Sequence, residues 1–213
     1  IINITREVIK IPVADTETKR SVADIFIIRL YNFSETSPER FRRALREMIE
    51  RGRTKLIIDL RNNPGGYLEA AVDMASWFLP QGEVIVQEDF GGKSEKILHR
   101  SRGYYVFKNI PMVVLVNQGS ASASEILAGA LRDHGLAKLV GERTFGKGSV
   151  QELLPLTADT SIKVTIAKWL TPKGQSISEE GLVPDIEIKP TKEDIESGQD
   201  QVTEKAIEIL KNM

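Results

Sequence analysis

Two stretches of this chain show the same order of strand, tight turn and helix. Residues 54–60 and 111–117 are short, nearly continuous apolar runs, as expected of strands buried in a parallel sheet. Each run is followed by a turn and an amphipathic helix, over residues 67–78 in the first unit and from Ser122 to about Gly135 in the second. Strands and helices in alternation predict an α/β fold with an open sheet. Both turns should then lie at one edge of that sheet, where such folds bind ligands.

The second turn carries three spaced serines within NQGSASASEILAGAL, residues 117–131. A serine at the start of a helix lies beside unpaired backbone N–H groups and the positive end of the helix dipole. Fixed donors of this kind stabilise the oxyanion of acyl transfer, so Ser122 is a candidate nucleophile. Ser122 and Glu125 also form the pattern S-x-x-E, which predicts a capping box and requires no chemistry.

A serine nucleophile needs a base, and the two histidines are poorly placed for that task. His134 would lie about 18 Å along a helix that begins at Ser122, and His99 lies in the charged run KSEKILHRSR. A lysine can act instead where burial or a positive potential favours its neutral amine. Lys147 is the candidate, because apolar Phe145 and two flanking glycines in TFGKGSVQ indicate a packed, unusual backbone.

Residues 141–147, GERTFGK, also match most of the phosphate-binding pattern G-x-x-x-x-G-K. Two features argue against that function. Gly148 stands where Ser or Thr should hold magnesium, and no helix is predicted after the lysine. Residues 149–156 and 161–167 alternate as expected of a β-hairpin instead. Nucleotide binding is therefore not predicted.

Length and composition indicate one main domain. The 213 residues are 41% hydrophobic and 28% charged, and the formal net charge of -1 gives no signal for a polyanionic partner. Arginines over residues 40–53 alternate with glutamates around an apolar stripe, which indicates a solvated helix face rather than a nucleic-acid site. The absence of cysteine excludes disulfides and thiolate metal sites. The sequence shows no transmembrane run or signal peptide and opens on Ile1, so we expect a fragment of a longer precursor.

The ends of the chain predict further elements. Residues 1–13 and 21–30 are expected to form strands around a polar turn at residues 15–20. Residues 191–200 are predicted to form a polar link to a last helix over residues 201–211.

Four motifs together resemble the C-terminal processing peptidases, also called tail-specific proteases, which are serine peptidases with a Ser/Lys dyad. The resemblance runs from Ile25 to about Ile188. The motifs follow the order of that family: LIIDLRNNPGG, NQGSASASEILAGAL, GERTFGKGSVQ and LTPKGQSISEEGLVPDIEI.

The resemblance implies a role for each matching residue. Ser122 falls on the nucleophile, Lys147 on the general base, and Gln151 on the residue that hydrogen-bonds the lysine amine. Ser120 and Ser124 are then turn and cap residues. The implied oxyanion donors are the N–H of Ala123 and a glycine of the NNPGG turn, where Gly66 is preferred to Gly65. Neither a cofactor nor a metal is implied.

The resemblance also implies a fold and a domain plan. The fold is the α/β spiral of ββα units found in Clp-type peptidases and crotonases, with an added β-hairpin region and a C-terminal helix. We expect residues 1–30 to add strands to the core, residues 31–190 to form the Ser/Lys peptidase core, and residues 191–213 to form a link and helix. Residues 1–30 are too short for the PDZ domain that family members usually carry, so that domain is expected in the full-length protein.

The implied function is endoproteolysis of extended polypeptides near their unstructured C-terminal tails. The implied compartment is extracytoplasmic, in the bacterial periplasm or cell envelope, with any membrane association made through segments outside this sequence. Self-association is left open. Two alternatives also stay open at this point: a catalytically silent peptide-binding core of the same fold, and a crotonase-like thioester enzyme, for which no adenine or pantetheine signature is evident.

Overall fold

The protein contains a central sheet of six strands and a second sheet of four strands. Its structure is a computed structural model that describes residues 12–18, 24–178 and 180–213. In chain order the elements are β1 (Ala14–Glu17), β2 (Ile25–Leu30), α1 (Ser37–Glu50), β3 (Lys55–Asp59), α2 (Leu68–Ala75), β4 (Val84–Asp89), β5 (Ile97–Arg100), β6 (Met112–Val116), α3 (Ala123–Asp133), β7 (Ala137–Gly141), β8 (Ser149–Pro155), β9 (Ser161–Leu170), β10 (Ile186–Glu187), α4 (Lys192–Ser197) and α5 (Gln201–Lys211).

The central sheet has the strand order β1-β2-β3-β6-β7-β10. Strands β2, β3, β6 and β7 pair in parallel, and all five residues of β6 are buried. The apolar runs predicted as buried parallel strands are therefore confirmed for β3 and β6. Because the strands are parallel, the turns that follow β3 and β6 lie side by side at the carboxyl edge of the sheet.

Both faces of the central sheet are covered by helices. Helices α1, α2 and α3 pack on one face, where Phe41, Phe78 and Leu127 are buried in the main core. Helix α5 covers the other face and buries Val202 and Leu210 in the second core. This double cover explains the continuous apolar runs of the central strands β3 and β6, which are buried on both faces.

The smaller sheet has the order β5-β4-β9-β8 and contains the predicted hairpin. Strands β8 and β9 pair antiparallel from Ser149↔Lys168 to Pro155↔Ser161, which confirms the hairpin predicted from the sequence. A strand therefore follows the lysine of GERTFGK, and the helix that a phosphate-binding loop requires is replaced by a hairpin.

Two predictions near the ends of the chain are wrong in part. The turn expected at residues 15–20 is a strand over its first three residues, because β1 extends to Glu17 and pairs antiparallel with β2. Pairing at a sheet edge can order polar residues that have little strand preference of their own. The predicted link of residues 191–200 contains α4, whose Asp194 accepts hydrogen bonds from Thr191. Residues 12 and 13, predicted to end the first strand, precede β1 and are not part of a strand, and the predicted positions 1–11 and 19–23 lie outside the described residues.

Among the described residues, no helix is both long and apolar enough to cross a membrane.

Candidate active site

Two turns at the carboxyl edge of the central sheet are joined by a set of hydrogen bonds. Ser120 Oγ donates to Leu60 O at 2.8 Å, and Ser124 Oγ donates to Asn63 O at 2.9 Å. The N–H of Ala121 donates to Asn63 O at 3.0 Å. Ser120 is thus a turn residue as expected, but Ser124 lies inside α3 and fastens that helix to the other turn. Because both hydroxyls are buried, these bonds hold the two turns in fixed register.

Two glycines make the close approach of the turns possible. A Cβ atom on Gly65 would lie 2.5 Å from Ala121 O and 2.8 Å from Ser122 Cβ. A Cβ atom on Gly66 would lie 2.2 Å from Phe33 O, and Gly66 also has φ +146. The NNPGG turn therefore needs glycine at both positions, for backbone contact and for backbone conformation.

Unpaired backbone donors are available at this junction. The N–H of Gly65 donates to Asn63 Oδ1 at 2.9 Å, and Asn63 Nδ2 is in turn bound to Leu30 O. Within the described ranges, the N–H groups of Gly66 and Ala123 donate to no protein acceptor. Gly66 and Ala123 can therefore offer N–H groups to a ligand, whereas Gly65 cannot do so in this conformation.

Ser122 directly precedes Ala123, lies against Gly65, and has an unusual conformation. It is the N-cap of α3, is half-buried, and has φ 56 and ψ -116. Positive φ is uncommon outside glycine, and strained residues of this kind cluster at functional sites. The carboxylate half of the predicted capping box is present, because Glu125 Oε2 accepts the N–H of Ser122 at 2.8 Å. The capping geometry and a catalytic role are therefore compatible at Ser122.

The loop that carries Lys147 lies against the same helix. The N–H of Lys147 donates to Glu125 Oε2 at 3.0 Å, so one carboxylate oxygen receives the backbone N–H groups of both Ser122 and Lys147. The N–H of Phe145 donates to Ser120 O at 3.0 Å. The structure thus brings the backbones of the predicted nucleophile and base together.

The side chains of this loop differ from the prediction. Phe145 is 65% exposed and does not pack around the lysine, and the Lys147 side chain is exposed as well. In the part of the chain that the structure describes, the Lys147 ammonium makes no hydrogen bond, to Ser122 or to any other residue. Gln151 is exposed on β8. The glycines allow the backbone to bend towards α3, but they do not bury the lysine.

The sequence pattern predicts only one of the hydrogen bonds that Glu125 makes. Its side chain is fully buried, and its two oxygens accept four hydrogen bonds. Burial raises the pKa of Glu125 above its ordinary value, although the four donors act in the opposite direction. The S-x-x-E pattern explains the bond to Ser122 but gives no sign of the bonds to residues 144–147, which depend on tertiary structure.

The histidines lie elsewhere, as expected. His134 Nε2 contacts Val84 O at 2.7 Å, and His99 contacts Glu88 at 3.4 Å.

An ion-pair network supports the NNPGG turn from the α5 side. Arg61 donates to Asp59 Oδ2 and to Asp200 Oδ1, each at 2.8 Å, and Asp200 is the N-cap of α5. Burial disfavours the charge of Arg61, but hydrogen bonds to the two carboxylates hold the pKa of Arg61 above its ordinary value. Burial likewise opposes the ionisation of Asp200, but its hydrogen bonds with Arg61 and Thr203 hold its pKa well below the usual range. Helix α5 is therefore fastened to the turn that presents Gly66.

A serine at a helix start, with free N–H groups beside it and a lysine loop bound to the same helix, is an arrangement suited to enzymes of the serine acyl-transfer class. The sequence profile of peptidase family S41 matches residues 24–188, and the chain belongs to that family.

Known proteins of similar sequence carry protease names. The chain is 42% identical over 191 residues to a carboxyl-terminal-processing protease of Synechocystis sp., covering 85% of this chain and 42% of the relative. It is 36% identical over 188 residues to the carboxy-terminal processing protease CtpA of Bacillus subtilis, covering 88% of this chain and 40% of the relative. This chain thus spans less than half the length of these curated relatives.

Solved structures confirm the α/β peptidase fold. The photosystem II D1 C-terminal processing protease aligns with a TM-score of 0.78 at 31% sequence identity, covering 87% of this chain and 50% of that one. The tricorn protease aligns with a TM-score of 0.61 at 21% identity, covering 90% of this chain and 18% of that one, which shows likeness of fold alone.

Proposed function

We propose that this chain is the catalytic core of a serine endopeptidase in which Ser122 is the nucleophile and Lys147 the general base. The observation that carries the proposal is the pair of unpaired N–H groups, from Gly66 and Ala123, beside Ser122. Donors held in place before the reaction are the usual means of stabilising a tetrahedral oxyanion. Membership of the S41 family supports the same conclusion.

The reaction follows from this geometry. Ser122 Oγ attacks the carbonyl carbon of the scissile peptide bond as Lys147 Nζ takes its proton. The N–H groups of Gly66 and Ala123 hold the oxyanion until the C–N bond breaks, the amine leaves with a proton from Lys147, and an acyl-enzyme remains on Ser122. Water then attacks the ester with Lys147 as base, and Gln151 orients the lysine amine.

The exposed Lys147 side chain can reach the nucleophile without movement of its backbone. Its N–H and that of Ser122 bind the same oxygen, at 3.0 and 2.8 Å, so the two nitrogens lie within about 6 Å of each other. A lysine has a flexible four-carbon stem, which can turn towards Ser122. A polypeptide that covers the side chain would also remove its water, and shielding favours the neutral amine that a base requires.

The substrate class is an extended polypeptide cut near its C terminus. Strand β8 is an edge strand of the smaller sheet and begins two residues after Lys147, so an extended chain could add to it by main-chain hydrogen bonds. Tyr67, which follows Gly66, and Phe145, two residues before Lys147, are large apolar residues that are 58% and 65% exposed. Exposed apolar groups beside a site suit contact with substrate side chains.

The wider setting is proposed from the family resemblance. We propose that a PDZ domain outside this sequence gathers the substrate tail and that the protein works in the periplasm or cell envelope. Residues 31–190 are proposed as the peptidase core, with residues 1–30 and 191–213 completing it.

Labelling of the intact protein with a fluorophosphonate, followed by peptide mapping, tests the catalytic assignment. We expect label on Ser122, and we expect Lys147→Ala to abolish both the label and the cleavage of an unstructured peptide. Lys163→Ala provides the matched control, because Lys163 is also an exposed lysine and lies on β9. Unchanged labelling in Lys147→Ala would refute the dyad.

A peptide-binding core without turnover is the second candidate, and the unpaired Lys147 ammonium is the observation that favours it. In that case the wild-type protein would bind the peptide but would neither label nor cleave.

A further inference from the structure

One buried carboxylate connects the nucleophile turn with the base loop. Glu125 Oε2 accepts the N–H groups of Ser122 and Lys147, and Glu125 Oε1 accepts the N–H of Gly146 at 2.7 Å and the hydroxyl of Thr144 at 2.6 Å. We infer that Glu125 is a positioning residue, whose carboxylate holds the backbone of residues 144–147 against Ser122 so that only the Lys147 side chain must move for catalysis. This inference rests on the proposed roles of Ser122 and Lys147.

The bonds that join the Ser122 segment to the Lys147 loop differ from those that join it to the NNPGG turn. Ser120, Ala121 and Ser124 join the nucleophile segment to the NNPGG turn through separate bonds. On the side of the Lys147 loop, Glu125 accepts four hydrogen bonds. Three come from the backbone N–H groups of Ser122, Gly146 and Lys147, and the fourth comes from the hydroxyl of Thr144. Apart from the direct bond between the N–H of Phe145 and Ser120 O, the described hydrogen bonds that hold the Lys147 loop near Ser122 therefore run through this one side chain.

The chemistry of the site calls for a carboxylate. All four groups that face Glu125 are donors, and an ionised carboxylate has acceptors on both oxygens. Glutamine has the same shape but presents an NH₂ group in place of one oxygen, so in either orientation it would turn a donor towards two donors. Two buried groups would then lose their acceptor, which is among the more destabilising changes within a folded protein.

A further bond extends the network to the segment after β9. Thr144 Oγ1, which donates to Glu125, accepts the N–H of Leu182 at 2.7 Å, and the N–H of Thr144 donates to Leu182 O at 3.1 Å. Thr144→Val would remove one donor to Glu125 and the side-chain acceptor of the Leu182 N–H, but it would leave the three backbone donors to Glu125 in place. It is therefore a milder perturbation of the same network.

Two measurements on the intact protein test the inference. Hydrogen exchange of the peptide that covers residues 144–148 reports the attachment of the base loop, whether or not the protein is active. The rate of fluorophosphonate labelling at Ser122 reports reactivity. In Glu125→Gln we expect exchange at least tenfold faster and labelling at least tenfold slower, with a smaller change of the same sign in Thr144→Val.

The matched control is Asp194→Asn, which also replaces a buried carboxylate by its amide. Asp194 accepts bonds from Thr191 and Gln201, far along the chain from the site. We expect it to lower the melting temperature without changing labelling or exchange at residues 144–148.

The outcomes separate the inference from the proposed function. Absence of label on wild-type Ser122 would refute the proposed function, and the exchange measurement would still decide whether Glu125 holds the loop. Unchanged exchange in both Glu125→Gln and Thr144→Val would overturn the inference, as would faster exchange with an unchanged rate of labelling. If Glu125→Gln does not fold, the same two readouts in Thr144→Val decide.

Discussion

Replacement of Gly66 by alanine should destabilise the protein more than the same change at another glycine with positive φ. The added Cβ would lie 2.2 Å from Phe33 O and 2.7 Å from Phe33 C. Both atoms belong to the backbone, which pairs with the turn through the bond from Tyr67 N to Phe33 O at 2.7 Å. The clash therefore cannot be relieved by rotation of a side chain.

Gly52→Ala is the matched control for the conformational part of this effect. Gly52 has φ +64, and no atom lies within 4 Å of the Cβ position. Alanine at the φ of Gly52 costs about 1 kcal/mol. The conformational cost at φ +146 is at least as large, because φ that far beyond the left-handed region is rarely adopted by residues other than glycine. The clash at Gly66 should add about 2–3 kcal/mol, in the upper part of the range for overpacking.

Thermal unfolding followed by far-ultraviolet circular dichroism measures the difference. For a chain of this size, 1 kcal/mol shifts the melting temperature by about 2–4 °C. We therefore expect Gly66→Ala to melt about 4–12 °C below Gly52→Ala. Equal melting temperatures for the two variants would show that the turn does not approach Phe33 as closely as described.

Two further predictions concern Asp200, which pairs with Arg61 beneath the NNPGG turn, and the exposed Phe145 near Lys147. The pKa of Asp200 is lower in the folded than in the unfolded chain, so its ionisation stabilises the fold above about pH 4 and this gain is lost as the pH falls. Asp200→Asn should thus reduce the fall in melting temperature between about pH 6 and pH 3, and an unchanged fall would contradict the role of the Arg61 pair. Phe145→Ala should change stability by less than about 0.5 kcal/mol, because the side chain is 65% exposed, yet raise KM for a peptide about three- to tenfold. An unchanged KM in steady-state assays would remove Phe145 from the substrate surface.

The sequence was most informative where local pattern and tertiary environment agree. The apolar runs that became β3 and β6 are buried on both faces, so their composition alone predicted parallel strands. Residues of β1 were predicted as a turn because they are polar, and only pairing with β2 orders them. Propensity cannot report a partner that lies elsewhere in the chain.

The same distinction applies to the site. The start of α3 at Ser122 followed from its S-x-x-E pattern and from helical spacing. The exposure of Phe145 and Lys147 did not follow from the glycines around them, because glycine permits a conformation without specifying which side chains are covered. Glu125 was described only as a cap, since its other three bonds come from residues 144–147.

The pair between Arg61 and Asp200 joins residues 139 positions apart. During translation, the ribosome must therefore release nearly the whole of this sequence before the arginine beneath the NNPGG turn meets its second carboxylate. Helix α5, which seals the second core, is synthesised later still. A growing polypeptide that already contains Ser122 and Lys147 thus lacks this support for the NNPGG turn until Asp200 has been synthesised.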